Sequence, residues 1–167
     1  FPLEELHLFA SAQSEGVQVP FRGRNLTVHE AKHDGFAGMD IVSFAAGGGT
    51  SKALAPEAVK RGAIVVANSA AWRMDPSLPL VFPEINPDDP DAHQGIISSP
   101  NCSTIVLLMA LAPLPHANPI RRVIVDTYQS ASGAGGKGIV ELIQQTRDAL
   151  EAKEPQHTTF PHPLAFN

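Results

Sequence analysis

Little in this chain would tie it to a membrane, a nucleic acid or an oxidising compartment. One cysteine in 167 residues excludes an intrachain disulfide and points to a reducing compartment. The longest apolar stretches, such as Ile105 to Pro113, fall far short of the ~20 residues needed to cross a bilayer. Lys and Arg total 12 against 17 acidic residues, a formal charge of -5. They cluster no further than the pairs Lys60-Arg61 and Arg121-Arg122, so no nucleic-acid footprint is expected. The 7 histidines lack metal-ligand spacing. His157 and His162 flank Thr158-Thr159-Phe160-Pro161 without a supporting carboxylate or Cys cluster and read as loop residues, so no metal site is expected. Internal repeats and low-complexity tracts are absent. The chain opens at Phe1-Pro2 without the charged start of a signal peptide and stops at Asn167 directly after an apolar run. We expect an internal piece of a larger protein.

What is present suits a folded core. Apolar residues make up 43% of the chain and charged residues 17%. Leu6 to Ala10 reads as a buried strand, followed by a polar turn from Ser11 to Gly16. Val19 to Val28 reads as a hairpin turning at Arg22 to Asn25. Asp40 to Ala45 is a strand that runs into Gly47-Gly48-Gly49, and Thr50-Ser51 opens a helix through Val59, closed near Gly62. Ala63 to Ala67 is a β-branched run of the kind found centrally in a parallel sheet. Strand, glycine loop, helix, strand is a βαβ unit and predicts an α/β class.

From Ser69 to Gly95 proline and aspartate dominate, but Leu80-Val81-Phe82 predicts an ordered, winding connection and not a linker. A strand is expected at Gly95 to Ser99. Next comes a helix from about Cys102 to Leu111, apolar nearly all round and therefore expected to be buried. Arg121 to Gln129 is predicted as a strand, Ser132 to Gly136 as a flexible loop, and Ile139 to Glu151 as an amphipathic helix.

Chemistry concentrates at Ser98-Ser99-Pro100-Asn101-Cys102-Ser103-Thr104, where the only thiol sits between a strand end and a helix start. N–H groups and the positive dipole end there favour a thiolate and can cradle an oxyanion when it adds to a carbonyl. Asn101 or Ser103 can cap the helix. The competing reading is a buried structural cysteine. Gln129 precedes a glycine loop and can orient a substrate or water but cannot act as a base; a surface loop is the alternative. Gly47-Gly48-Gly49 suits a cofactor's phosphates at a helix N-terminus, yet matches neither G-x-G-x-x-G nor a P-loop. Arg73 can grip a phosphate through its planar fork, or be an exposed ion-pairing side chain.

Several segments in order carry a resemblance: Asn68-Ser69-Ala70-Ala71-Trp72-Arg73-Met74-Asp75, Pro83-Glu84-Ile85-Asn86-Pro87, Pro100 to Thr104, Thr127 to Gly135, and Phe160 to Asn167. Together they resemble aspartate-semialdehyde dehydrogenase of the bacterial type, over essentially the whole chain. The resemblance implies an incomplete Rossmann-type dinucleotide-binding domain at residues 1–101, followed by the start of a mixed α+β catalytic and dimerisation domain at 102–167. It implies a cytoplasmic, NADP-dependent reduction of aspartyl phosphate to aspartate semialdehyde with release of phosphate, feeding lysine, threonine and methionine synthesis in a homodimer or homotetramer. By the same resemblance Cys102 is the nucleophile that forms a thioester and Gln129 orients the reacting carbonyl. Arg73 and Asn101 hold phosphate or substrate carboxylate. Ser11, Ser14, Gly47, Gly48 and Ser69 line the cofactor cleft, and Ser132 and Gly133 approach the nicotinamide.

The chain departs from the family in places. The family's opening strand and Gly-rich turn precede Phe1 in register, and its acid–base His and carboxylate-gripping Arg follow Asn167, so this segment alone is expected to be inactive. Gln13 stands where relatives usually carry an Arg that selects the 2′-phosphate. Ala70 and Trp72 replace a usual Ser and Phe. Two other readings compete. One is a related acyl-phosphate reductase such as N-acetyl-glutamyl-phosphate reductase, separable by a substrate panel. The other is a truncated, non-catalytic homologue acting as a binding module, separable by reading the gene outward from both ends.

Overall fold

Alternating apolar residues bounded by turn residues become strands β1 (Leu8–Ala10), β2 (Gln18–Phe21) and β3 (Arg24–Glu30). β2 and β3 form the expected antiparallel hairpin, with Phe21 facing Arg24 across a two-residue turn. Arg22 (φ 47°) and Gly23 (φ 78°) both adopt left-handed backbone there, the twist that matches flanking strands. β1 joins β3 in parallel, Ala10 opposite Glu30. In this computed structural model residues 2–114 and 119–167 are described. They divide into two compact units, Phe1–Pro113 and Leu114–Asn167. His116 lies outside the described residues.

The βαβ unit appears as read. β4 (Ile41–Phe44), helix α1 (Gly48–Lys60), β5 (Ile64–Ala67) and β6 (Ile96–Ser98) follow in order. The three strands pair in parallel in the order β4-β5-β6, with β5 central. Its Val65 and Ala67 are fully buried, which explains the β-branched run. Leu54, Ala55 and Ala58 of α1 pack with Phe44, Val65, Ala67 and Ile96 in one core. Each large side chain buried there contributes roughly 1.5–3 kcal/mol. Phe36 joins the two sheets, its ring centroid 5.3 Å from Phe9 of β1 and 5.8 Å from Phe44 of β4.

The proline-rich connection is ordered. Leu80 bridges Ser98 of β6 in parallel, the Val81 amide donates to the Ser98 carbonyl at 2.8 Å, and Val81 and Phe82 are buried. Asn86 ties the following turn, accepting from the Phe82 amide at 2.7 Å and donating to the Leu80 carbonyl at 2.9 Å.

Three expectations need correction. Helix α2 (Cys102–Leu111) has the predicted bounds, yet none of its residues is buried and Val106 is 73% exposed. An all-round apolar composition says what burial would stabilise; only neighbouring elements supply it, and the described residues cover α2 partly. Arg121 to Gln129 forms no strand, and Val123, Ile124 and Val125 are exposed. A β-branched run becomes a strand only when a second chain segment completes its ladder, and none of the described residues does. Ser132 to Gly136, read as a flexible loop, belongs instead to a 3-10 turn over Ala131–Ala134 that leads directly into helix α3 (Gly136–Leu150).

Candidate functional site

In the first unit the parallel register sets Ala67 beside Ser98, so Asn68 and Ser99 leave the sheet as neighbours. The Ser99 amide donates to the Ala67 carbonyl at 3.0 Å, and the Ser99 hydroxyl donates to Asn68 Oδ1. Arg73 then closes the pair from above. Its Nε donates to the Ser99 carbonyl at 2.9 Å and its Nη2 to the Asn68 carbonyl at 2.7 Å. Arg73 is therefore not the exposed ion-pairing side chain of the blander reading: it is half-buried and makes no ion pair among the described residues.

Cys102 follows Ser99 by three residues, as the first residue of α2. Pro100 and the extended backbone of Asn101 (φ -63°, ψ 147°) deliver the chain to the helix. Asn101, not Ser103, is the cap: its Oδ1 accepts from the Ser103 amide at 3.0 Å and the Ser103 hydroxyl at 2.6 Å. Cys102 Sγ lies 3.9 Å from the same oxygen. The thiol is exposed, not the buried structural cysteine of the alternative reading. An accessible sulfur at the positive end of a helix, beside first-turn N–H groups, can attack a carbonyl and leave its oxygen near those donors.

The glycine loop opens helix α1. Gly47 is the N-cap of α1 and brings no side-chain cap, so the first-turn N–H groups are left for an outside acceptor. A Cβ on Gly47 or Gly49 would meet nothing within 4 Å, and one on Gly48 only the Ala71 methyl at 3.9 Å. These residues fit a dinucleotide's phosphates. The segment after β5 lies against α1, where Trp72 Nε1 donates to the fully buried Ser51 hydroxyl at 2.9 Å. Ser69 accepts from the Ala71 amide at 3.4 Å. Ser11 and Ser14 bracket a 3-10 turn after β1, the Ser14 amide donating to the Ser11 carbonyl at 2.9 Å. Just beyond the end of β3, Lys32 Nζ lies 2.7 Å from Glu30 Oε2; hydrogen bonding to that carboxylate, then its charge, raises the Lys32 pKa.

The second unit gathers Gln129, Ser132 and Gly133. The Gly133 amide donates to the Ser130 carbonyl at 3.0 Å, the Gly135 amide to the Ser132 carbonyl at 2.9 Å, and the two serine hydroxyls lie 2.6 Å apart. A Cβ on Gly133 would stand 3.8 Å from Gln129 Oε1.

Sequence reading missed two residues here, Glu141 and Gln145, one turn apart on α3. Glu141 accepts from the Thr158 and Thr159 amides at 3.0 and 2.6 Å, the Thr158 hydroxyl at 3.0 Å and the Phe160 amide at 3.4 Å. Partial burial alone would raise its pKa, but these donors outweigh it and hold the carboxyl down at about 2. Gln145 is fully buried, accepting from the Leu164 amide at 2.7 Å and donating to the Gln156 carbonyl at 3.1 Å. The only signal in the sequence was a polar pair at helical spacing beside a loop. Among the described residues no His, Cys, Asp and Glu cluster could hold a metal ion, and no helix is long and apolar enough to cross a membrane.

Comparison with known proteins gives two family matches, semialdehyde dehydrogenase NAD binding domain over residues 1–93 and semialdehyde dehydrogenase dimerisation domain over 111–167. The chain is 50% identical over 167 residues to aspartate-semialdehyde dehydrogenase of Synechocystis sp., covering 100% of this chain and 49% of that protein. The crystal structure of aspartate semialdehyde dehydrogenase II from Vibrio cholerae complexed with ASA superposes with a TM-score of 0.83 at 41% identity, covering 100% of this chain and 50% of that one. The enzyme of Candida albicans, solved with NADP, gives a TM-score of 0.58 at 26% identity over 70% of this chain and 40% of that one. The chain spans about half the length of the curated relatives it matches.

Proposed function

The chain belongs to the semialdehyde dehydrogenase family, and from that premise we propose that it carries the cofactor cleft and the nucleophile of a phosphorylating, NADP-dependent aspartate-semialdehyde dehydrogenase. The observation that carries this reading is the exposed Cys102 thiol at the start of α2, just after the capping Asn101 and three residues past Ser99, whose carbonyl Arg73 holds. In the biosynthetic direction Cys102 Sγ attacks the acyl carbon of aspartyl phosphate. The carbon–oxygen bond to phosphate breaks, inorganic phosphate leaves with the electron pair, and a thioester remains on Cys102. First-turn N–H groups of α2 hold the developing oxyanion. Gln129 orients the reacting carbonyl, while Arg73 and Asn101 hold phosphate or the substrate carboxylate.

When bound, the nicotinamide supplies the hydride that reduces the thioester to aspartate semialdehyde and frees the thiolate. Gly47 and Gly48 would hold the dinucleotide's phosphates, Ser11, Ser14 and Ser69 would line its cleft, and Ser132 and Gly133 would contact the nicotinamide. On this reading residues 1–101 form the cofactor part and residues 102–167 begin the catalytic and dimerisation part. The whole protein works in the cytoplasm as a homodimer or homotetramer and feeds lysine, threonine and methionine synthesis.

The test is phosphate-dependent oxidation of aspartate semialdehyde by the whole protein, followed by NADPH absorbance. Cys102→Ala should abolish turnover while circular dichroism stays unchanged; retained turnover would refute the nucleophile assignment. N-acetylglutamate semialdehyde in the same assay separates the related acyl-phosphate reductase.

A further inference from the structure

The second unit holds a device that the proposed chemistry does not use. A Cβ on Gly138 would overlap the Ala131 carbonyl oxygen and stand 3.0 Å from Phe160 Cζ and from the Ala134 methyl. The Phe160 ring therefore rests at Gly138 near the start of α3, on the side of that residue that also faces Ala131 and Ala134 of the Ser130–Gly135 turn. Phe160 does not come there through its own strand or helix, since residues 155–167 form neither. It is held by its main chain. The Glu141 carboxylate accepts from three successive amides, Thr158, Thr159 and Phe160, at 3.0, 2.6 and 3.4 Å. Gln145 secures both sides of that segment through the Gln156 carbonyl and the Leu164 amide.

We propose that Glu141 is a positioning residue: by clasping the Thr158–Phe160 main chain it seats the Phe160 ring on Gly138 and holds the Ser130–Gly135 turn, with Ser132 and Gly133, in the shape that meets the cofactor. This rests on the reading of Ser132 and Gly133 as nicotinamide contacts. A carboxylate suits the task because it accepts several N–H groups at once with charge-assisted strength. A carboxamide at this position offers one acceptor oxygen and turns an N–H₂ toward donors.

The test compares native and Glu141→Gln forms of the whole protein by hydrogen exchange and steady-state kinetics. Exchange of the Gly133 and Gly135 amides should accelerate roughly ten-fold or more, while that of Val65 in β5 stays unchanged. KM for NADP should rise several-fold with kcat per titrated Cys102 largely kept, a split that simple loss of folded protein does not produce. Unchanged exchange at Gly133 and Gly135 overturns the proposal. Faster exchange with unchanged KM overturns the cofactor role of the turn while leaving the clasp and the Cys102 chemistry standing. Should Glu141→Gln fail to fold, Phe160→Leu, which keeps the clasp and removes only the ring, must give the same two shifts; if it gives neither, the proposal falls.

Discussion

Arg73 and Ser99 meet through one hydrogen bond, from Nε to the main-chain oxygen at 2.9 Å, and that bond fastens the strand end from which Cys102 departs. A second bond from the same guanidinium, to the Asn68 carbonyl at 2.7 Å, makes it a bridge between β5 and β6. Removing the side chain leaves two carbonyls short of a donor. Arg73→Ala should cost about 1–3 kcal/mol and lower Tm by roughly 2–4 °C per kcal/mol. Arg73→Lys has no fork to reach both carbonyls and should recover only part. Thermal denaturation of the three proteins decides it, and a lysine variant as stable as the parent would mean the bridge counts for nothing.

The single tryptophan reports on the cover of α1. Ser51→Ala leaves the Trp72 indole N–H without the acceptor it has at 2.9 Å in a fully buried position. The expected cost is about 1–3 kcal/mol, with a red shift of the emission as the 69–75 segment loosens. An unmoved emission maximum would show that packing alone keeps Trp72 in place.

At Gly138 the usual arithmetic of helices reverses. Gly→Ala inside a helix ordinarily stabilises by about 1 kcal/mol. Here the added methyl overlaps the Ala131 carbonyl oxygen and crowds Phe160, so Gly138→Ala should instead destabilise the second unit, by about 1–3 kcal/mol. Chemical denaturation followed by helix signal supplies the sign, and the sign is the test.

Acid should open the clasp late. The Glu141 carboxyl titrates at about 2 in the folded chain against 4.5 ordinarily. A depressed carboxyl pKa adds stability that is complete above 4.5 and is lost as pH falls through that window toward 2. The Thr159 amide proton, bonded to this carboxylate, should shift in NMR with a midpoint near 2. Glu141→Gln should erase that step, and a native midpoint near 4.5 would mean the clasp is open in solution.

Much of this architecture was legible in the residues because local rules and tertiary demands agree. Arg22-Gly23 suits only a tight hairpin, Ala63 to Ala67 suits a central strand of a parallel sheet, and Pro100-Asn101 announces a helix start. Cys102 was readable for the same reason: strand end, proline, cap and thiol fall in one short stretch. Glu141 was not, since a glutamate on an amphipathic helix is an ordinary exposed residue until a loop from 17 to 19 residues later brings its amides.

The sequence alone determined the order of elements from β1 to α2, the parallel βαβ unit and the family resemblance, for periodicity, turn chemistry and motif order are properties of the chain itself. Tertiary structure decided what depends on a second surface. It left Arg121 to Gln129 without a ladder among the described residues, because a strand exists only between two segments. It left the apolar α2 uncovered in part, because burial needs a neighbour. It made Arg73 a bridge and not the exposed ion-pairing side chain of one reading, because only the parallel register sets the Asn68 and Ser99 carbonyls within reach of one guanidinium.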